Sequence, residues 1–341
     1  MKKSLFSIFR SGFINLSPFV FALSFACNND NSGKGSKQPP DASVKKGNIV
    51  AYHPDYRDTP TNDQLDMLTH LVLFSITPAN HDVPLPEGWG SNWPSNISDI
   101  VNRAHDRGVK VIIALGGWEK TGSFPDSVKP ANRQTFVSNI MALVNQYNFD
   151  GVDIDWEYPD TIEEVINFEG FMVALKAALG NKRLSFAIGA QYPPIKYTDA
   201  TYNALDALHL MTYDGQGSGR SHHADMAWSK GVVDRWVNSG KIAKEKIFYG
   251  VPFYGRPSSG WDDEDTYVNI ISANQEALSQ ADSNGHYYYD GIPQIEEKTK
   301  YAWDKDIGGI MIWETGQDAE VTSRYSLLRA IHEETRRLRE Q

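Results

Sequence analysis

From about residue 47 onward the chain alternates between two kinds of hydrophobic spacing. Short runs dense in aliphatic and β-branched residues, at 49–53, 68–75, 109–115, 151–155, 184–189, 205–211, 246–251 and 307–313, read as strands covered on both faces. Between them, at 97–107, 132–147, 163–179, 226–237 and 322–338, apolar residues recur every three or four positions, the period of helices with one face on a core. Parallel neighbours need a long crossover between them, so strands alternating with helices imply a parallel sheet. Eight such strands suit a closed barrel, with a doubly wound open sheet as the second arrangement. The expected fold class is therefore α/β, a (β/α)8 TIM barrel forming a single domain over 47–341 without a large α+β insertion. No internal repeat is evident. The connection 252–306 is long, contains Gly260-Trp261-Asp-Asp-Glu-Asp and Tyr287-Tyr-Tyr-Asp-Gly, and leaves open whether it holds one helix or two.

The first residues follow another pattern. Met1-Lys2-Lys3 and Arg10 form a basic start, 12–26 is largely apolar, and Ala26-Cys27 places a small residue before the chain's single cysteine. This reads as a bacterial lipoprotein signal over 1–26 with lipidation at Cys27, although Ser24 stands where such signals carry Leu; an ordinary secretory peptide is the alternative. Residues 27–46 are polar and read as a flexible tether. The expected location is thus exported, on the outer membrane or cell surface through an N-terminal lipid anchor; Asn28 after the cysteine resembles the outer-membrane sorting pattern. No other segment is long and apolar enough to span a bilayer.

Charge narrows the partners. The 341 residues carry a formal net charge of −10, and loss of 1–26 would remove three basic residues and no acid. Phosphate binding needs clustered Lys and Arg, so nucleic acid is not an expected partner. The chain is expected to act as a monomer without cofactor or metal. His53, His70, His222 and His223 lack a metal-ligand spacing, and His222-His223 reads as a solvated loop pair.

One of the strand-like runs carries acids: Asp150-Gly-Val-Asp153-Ile-Asp155-Trp156-Glu157-Tyr158-Pro159. Side chains alternate along a strand, so Asp153, Asp155 and Glu157 point one way if Val152 and Ile154 face the helices. Barrel enzymes place their chemistry at the C-terminal strand ends, where these three fall. Like charges so close cannot all ionise cheaply, and a retained proton is what a general acid needs. Asp150, at the start of the run, reads as structural. A solvated acidic strand end fits poorly with the interleaved Ile154 and Trp156. A calcium loop would need Gly where Tyr158-Pro159 stands, and a magnesium site stays open.

The run Asp150-x-x-Asp153-x-Asp155-x-Glu157 resembles the signature of glycoside hydrolase family 18, the chitinases and their relatives, with Trp156-Glu157-Tyr158-Pro159 as a chitinase-like continuation. The likeness runs over about 48–320. Leu68-Thr-His70 is similar to the family's second strand, Met211-Thr-Tyr213-Asp214 to the end of the sixth, Gly250-Val-Pro-Phe-Tyr254-Gly-Arg256 to the seventh, and Gly309-Ile-Met-Ile-Trp313-Glu to the eighth. One departure is Ala114, where the family usually carries a Ser that supports the acids from behind.

The resemblance implies a retaining, substrate-assisted hydrolysis. Glu157 would be the general acid and base. Asp155 would orient the substrate's 2-acetamido group, whose own oxygen attacks C1, and Asp153 would share a proton with Asp155. Tyr213 and Asp214 would lie at the acetamido group and its sugar, and Trp313 would floor that sugar. Met211, Tyr52, Phe74, Gly117, Trp118, Gln191, Tyr254 and Arg256 complete the expected substrate-binding set, with Tyr52, Trp118, Phe253, Tyr254 and Trp261 as candidates to stack on sugar faces. The implied activity is an endo-acting chitinase cleaving β-1,4-linked N-acetylglucosamine, with a shallow groove. An endo-β-N-acetylglucosaminidase acting on N-glycans, a spore- or wall-glycan hydrolase and a non-catalytic chitin-binding lectin are the other readings; such lectins typically lack the Glu that Glu157 supplies.

Overall fold

The computed structural model describes residues 46–85, 93–215, 221–257 and 263–341. The expected signal, Cys27, nearly all of the tether, Gly260 and Trp261 lie outside them.

The chain runs β1 (Asn48–Pro54), α1 (Asn62–Asp66), β2 (His70–Ile76), α2 (Trp93–Asp106), β3 (Lys110–Gly116), α3 (Phe124–Ser127), α4 (Arg133–Gln146), β4 (Gly151–Asp155), α5 (Ile162–Leu179), β5 (Arg183–Gly189), α6 (Asp199–Ala204), β6 (Ala207–Met211), α7 (Met226–Ser239) and β7 (Ile247–Pro252). It continues through β8 (Tyr254–Pro257), β9 (Asp265–Thr266), α8 (Tyr267–Ile271), α9 (Gln275–Leu278), β10 (Tyr287–Tyr288), α10 (Ile292–Asp304), β11 (Gly309–Trp313) and α11 (Leu327–Arg339). Strands β1 to β7 and β11 pair in parallel and close on themselves, β1 against both β2 and β11. All eight expected strands are present, with ends displaced by one or two residues, and the barrel rather than the open sheet is the answer.

The period of two divides the hydrophobic residues into two cores. Val152, Ile154, Leu184, Phe186 and Ile188 point outward into the layer shared with the helices, whereas Val50, Tyr52, Val72, Ile112, Ala114, Phe248 and Met311 fill the barrel interior. Register then fixes what surrounds the acids: Asp153 lies level with Ala114 on β3 and Ser185 on β5. Just beyond β4, Thr161 starts α5 with a capping box, its hydroxyl accepting from Glu164 N (3.1 Å) while Glu164 accepts from Thr161 N (2.9 Å). That box fixes where the chain leaves the acid-bearing segment.

Three features differ from the sequence reading. The 252–306 connection carries a three-stranded antiparallel sheet in the order β10-β8-β9 as well as α8, α9 and α10. Helix α10 escaped notice because its inward face includes Lys298 and Thr299 beside Ile295 and Ala302, which blurs the apolar period. Helix α11 begins at Leu327 rather than 322, because Asp318 accepts from Ser326 Oγ (2.6 Å) and from the N–H groups of Leu327 and Leu328 (2.9 Å each), fixing the helix start there. His222 and His223 are not a solvated pair: both are buried, and the His222 ring lies 2.9 Å from Tyr289 O.

Lys298 explains its own burial. Its ammonium donates to Asp290 (2.6 Å) and to Ala224 O (2.7 Å), and neither side chain of the ion pair reaches solvent. Removing one partner strands a buried charge, which typically costs about 3–5 kcal/mol. Asp290→Leu should therefore lower stability by about that amount in denaturant unfolding, and the double variant Asp290→Leu/Lys298→Met should recover most of the loss.

Candidate active site

Asp153 is fully buried and held at both oxygens. Tyr52, from β1, donates its hydroxyl to Oδ2 (2.7 Å), and Ser185, from β5, donates to Oδ1 (2.5 Å). His209, from β6, completes the surround, its Nδ1 lying 2.8 Å from the Tyr52 hydroxyl and 3.3 Å from Asp153 Oδ1. Burial keeps this imidazole toward its neutral form despite its contact with Asp153. Hydrogen bonds to the ionised form are what make a buried carboxylate tolerable without a cation.

Asp155 is in the opposite condition. It is buried, and its Oδ1 finds no hydrogen-bond partner. Burial, then the nearby charges of Glu157 and Asp153, push its pKa well above the usual carboxylate range. Glu157, half-buried just past the strand end, is also raised, chiefly by burial and further by the charge of Asp214, against a lowering hydrogen bond from Tyr158. Asp155 and Glu157 therefore hold a proton to higher pH than isolated carboxyls would.

The alternation read from the sequence carries past the strand. Trp156 faces outward, 1% exposed, its ring stacked on Phe124 at 5.4 Å with an interplanar angle of 4°. Anchored there, it sends Glu157 back over the barrel mouth.

Asp214 follows β6 with φ at 57°. It accepts from Tyr254 (2.7 Å) and from Arg256 Nε (2.6 Å), and His223 Nδ1 lies 3.3 Å away. Burial alone would raise its pKa, but the hydrogen bonds and charges of His223 and Arg256 outweigh that and hold it at about 2. Tyr213, beside it, is buried, and its hydroxyl titrates far above its usual range because of that burial and the acids around it.

Aromatic residues line the same end. The Trp313 ring meets Phe74 edge-on at 4.7 Å and Tyr52 at 5.7 Å. Met211 packs partly buried beside them. Gly117, with φ at 117°, lies flat on Phe74, and a Cβ there would come within 2.3 Å of that ring. Trp313 is followed by Glu314, a buried carboxylate bound through Oε1 to Arg57 Nε (2.8 Å) and a second guanidinium nitrogen (2.7 Å). Trp118 is 71% exposed after β3. On the far side the Tyr158 and Tyr192 rings meet at 4.6 Å, and Gly189 leaves room for the Gln191 amide and the Tyr158 hydroxyl, both of which would clash with a Cβ.

The expected site residues thus converge on one end of the barrel, with three changes of part. Tyr52 is 2% exposed and lies beneath the acids, offering no face to a sugar. Phe253 is wholly buried in the outer core. Tyr254 and Arg256 are engaged by Asp214. Ser185, His209, Tyr158 and His223 were absent from the expected set; the alternation of β5 and β6 alone could have placed Ser185 and His209 inside the barrel. Among the described residues no cluster of His, Cys, Asp and Glu is disposed to hold a metal ion.

Known proteins resemble this chain in sequence and fold. The chain is 26% identical to Endochitinase 1 of Metarhizium robertsii over 271 residues, covering 63% of each, and 25% identical to Chitinase B of Serratia marcescens over 372 aligned positions, covering 74% of this chain and 73% of that one. It therefore spans somewhat under two thirds of the first of these curated relatives. Among solved structures, a family 18 chitinase of Flavobacterium johnsoniae, from that organism's chitin utilization locus, superposes with a TM-score of 0.75 at 29% identity, covering 86% of this chain and 95% of that one. The family model of glycosyl hydrolases family 18 matches residues 48–318, and the chain belongs to that family.

Proposed function

We propose that the protein is an endo-acting chitinase that hydrolyses β-1,4-linked N-acetylglucosamine polymers by a retaining, substrate-assisted route. The observation that carries this reading is Asp155: a buried carboxyl with an unpartnered oxygen, between Asp153 and Glu157, is an acceptor waiting for a donor. An acetamido N–H supplies such a donor.

In this mechanism protonated Glu157 gives its proton to the glycosidic oxygen as the bond to C1 breaks. The acetamido carbonyl oxygen forms the new bond to C1, giving an oxazolinium ion. Asp155 accepts from the acetamido N–H, which aims the carbonyl oxygen at C1 and stabilises the ring as positive charge develops. Glu157, now a carboxylate, takes a proton from water, which attacks C1 and reopens the ring with net retention. Tyr213 and Asp214 border the acetamido group and its sugar, and Trp313 forms the floor. Attached through a lipid at Cys27, the barrel would act outside the cell; the basic start, apolar run and lone cysteine support that location.

The test is digestion of N-acetylglucosamine oligomers, a fully deacetylated oligomer and a high-mannose glycopeptide. Cleavage of the acetylated oligomers alone is expected, with mixed product lengths at the outset; cleavage of the glycopeptide only would replace the substrate. Glu157→Gln should lower kcat by about 10²- to 10⁴-fold, the range for loss of a general acid.

The pH profile gives a second test. Catalysis needs Glu157 protonated, so kcat/KM should fall as pH rises through its raised pKa. Asp214→Asn removes a negative charge that contributes to that rise. The alkaline limb of kcat/KM should consequently move to lower pH in this variant.

A further inference from the structure

Two residues stand level with Asp153 on the neighbouring strands. On β3 it is Ala114, which has nothing to donate; on β5 it is Ser185, whose hydroxyl is wholly buried and 2.5 Å from Asp153 Oδ1. Tyr52 has already taken Oδ2. We infer that Ser185 is the positioning residue that fixes Asp153 in place and stabilises its negative charge, so that Asp155 alone of the pair is free to turn toward substrate.

The geometry separates the two carboxyls. Asp153 is tied on both oxygens to different strands, β1 and β5, and cannot rotate without breaking a bond to one of them. Asp155 has an oxygen with no bond to break. When Asp155 turns away, Asp153 loses a neighbour that shares its proton and must be stabilised by what remains. Tyr52 from β1, His209 from β6 and Ser185 from β5 are those groups. Arg183, lower on β5, contributes at longer range, and Asp155 opposes them from the acid segment itself. Ala114 contributes nothing from β3, so the short Ser185 bond has no substitute on that flank.

This inference rests on the substrate-assisted reading for its kinetic part only, and its test has a readout that does not require turnover. In Ser185→Ala, kcat on N-acetylglucosamine oligomers should fall about tenfold or more with KM little changed, the scale expected for loss of a hydrogen bond to a charged group. Ser185→Thr keeps the hydroxyl and should retain kcat, whereas Ser185→Val, of matching volume, should not. Adding Ala114→Ser to Ser185→Ala returns a hydroxyl from the opposite flank and should recover part of the loss. Independently, infrared titration of the buried carboxylic acid band should show it persisting to higher pH in Ser185→Ala and Ser185→Val than in the parent or Ser185→Thr. If band and kcat are both unchanged in folded Ser185→Ala, or if Ala and Thr variants lose kcat alike, the assignment is overturned. A parent protein that leaves the oligomers uncut would defeat the proposed function, while the infrared series would still decide the role of Ser185.

Discussion

The arrangement turns on burying two adjacent carboxyls inside a barrel that brings no metal-binding cluster to them among the described residues. Taking a carboxylate out of water is tolerable only where donors replace the hydration, or where the group keeps its proton. The barrel uses both remedies, one per residue. Asp153 receives hydroxyls from β1 and β5, and Asp155, given none at Oδ1, is driven toward its neutral form. A single strand thus carries two copies of one side chain in opposite hydrogen-bonding surroundings.

This division explains why the interior of the barrel is so uneven. Below the acids it is mainly hydrophobic, with Val50, Val72, Ile112 and Met311, and Arg183 reaches in over the Phe248 ring. At the level of Asp153 it becomes a ring of polar groups drawn from β1, β5 and β6, each matched to another. Above, the polar contacts shift to Asp214, whose charge is secured by Tyr254 and Arg256 from the small sheet and by His223. The accessory strands are small, but they supply two of the three side chains that clamp that carboxylate.

Much of this was legible in the chain because two periods write it down. The eight strands follow from their apolar runs, and the aim of Asp153, Asp155 and Glu157 follows from alternation, with Trp156 confirmed as the outward counterpoise. What escaped was information held in cross-strand register. Nothing local to Ser185 or His209 announces that each ends beside Asp153, since those distances depend on how β5 and β6 are staggered against β4. Tyr52 was misjudged for the same reason: a ring at a strand end can face a ligand or lie under one, and only depth in the barrel distinguishes them. Helix α10 and the buried histidines were obscured by polar residues that find partners only in three dimensions.

The Arg57–Glu314 ion pair has a consequence that reaches beyond its own bonds. A closed barrel made from one chain has a seam where its first and last strands meet, here β1 against β11. It is the single junction in the wall that no crossover helix straps shut, and Trp313 stands on it. Arg57, from the loop after β1, grips the residue that follows Trp313, so the clasp of the seam and the mount of the aromatic floor are the same pair of side chains. One ion pair therefore resists both fraying of the barrel along this seam and tilting of that floor, which ties the integrity of the fold to the shape of the groove where the first and last strands meet.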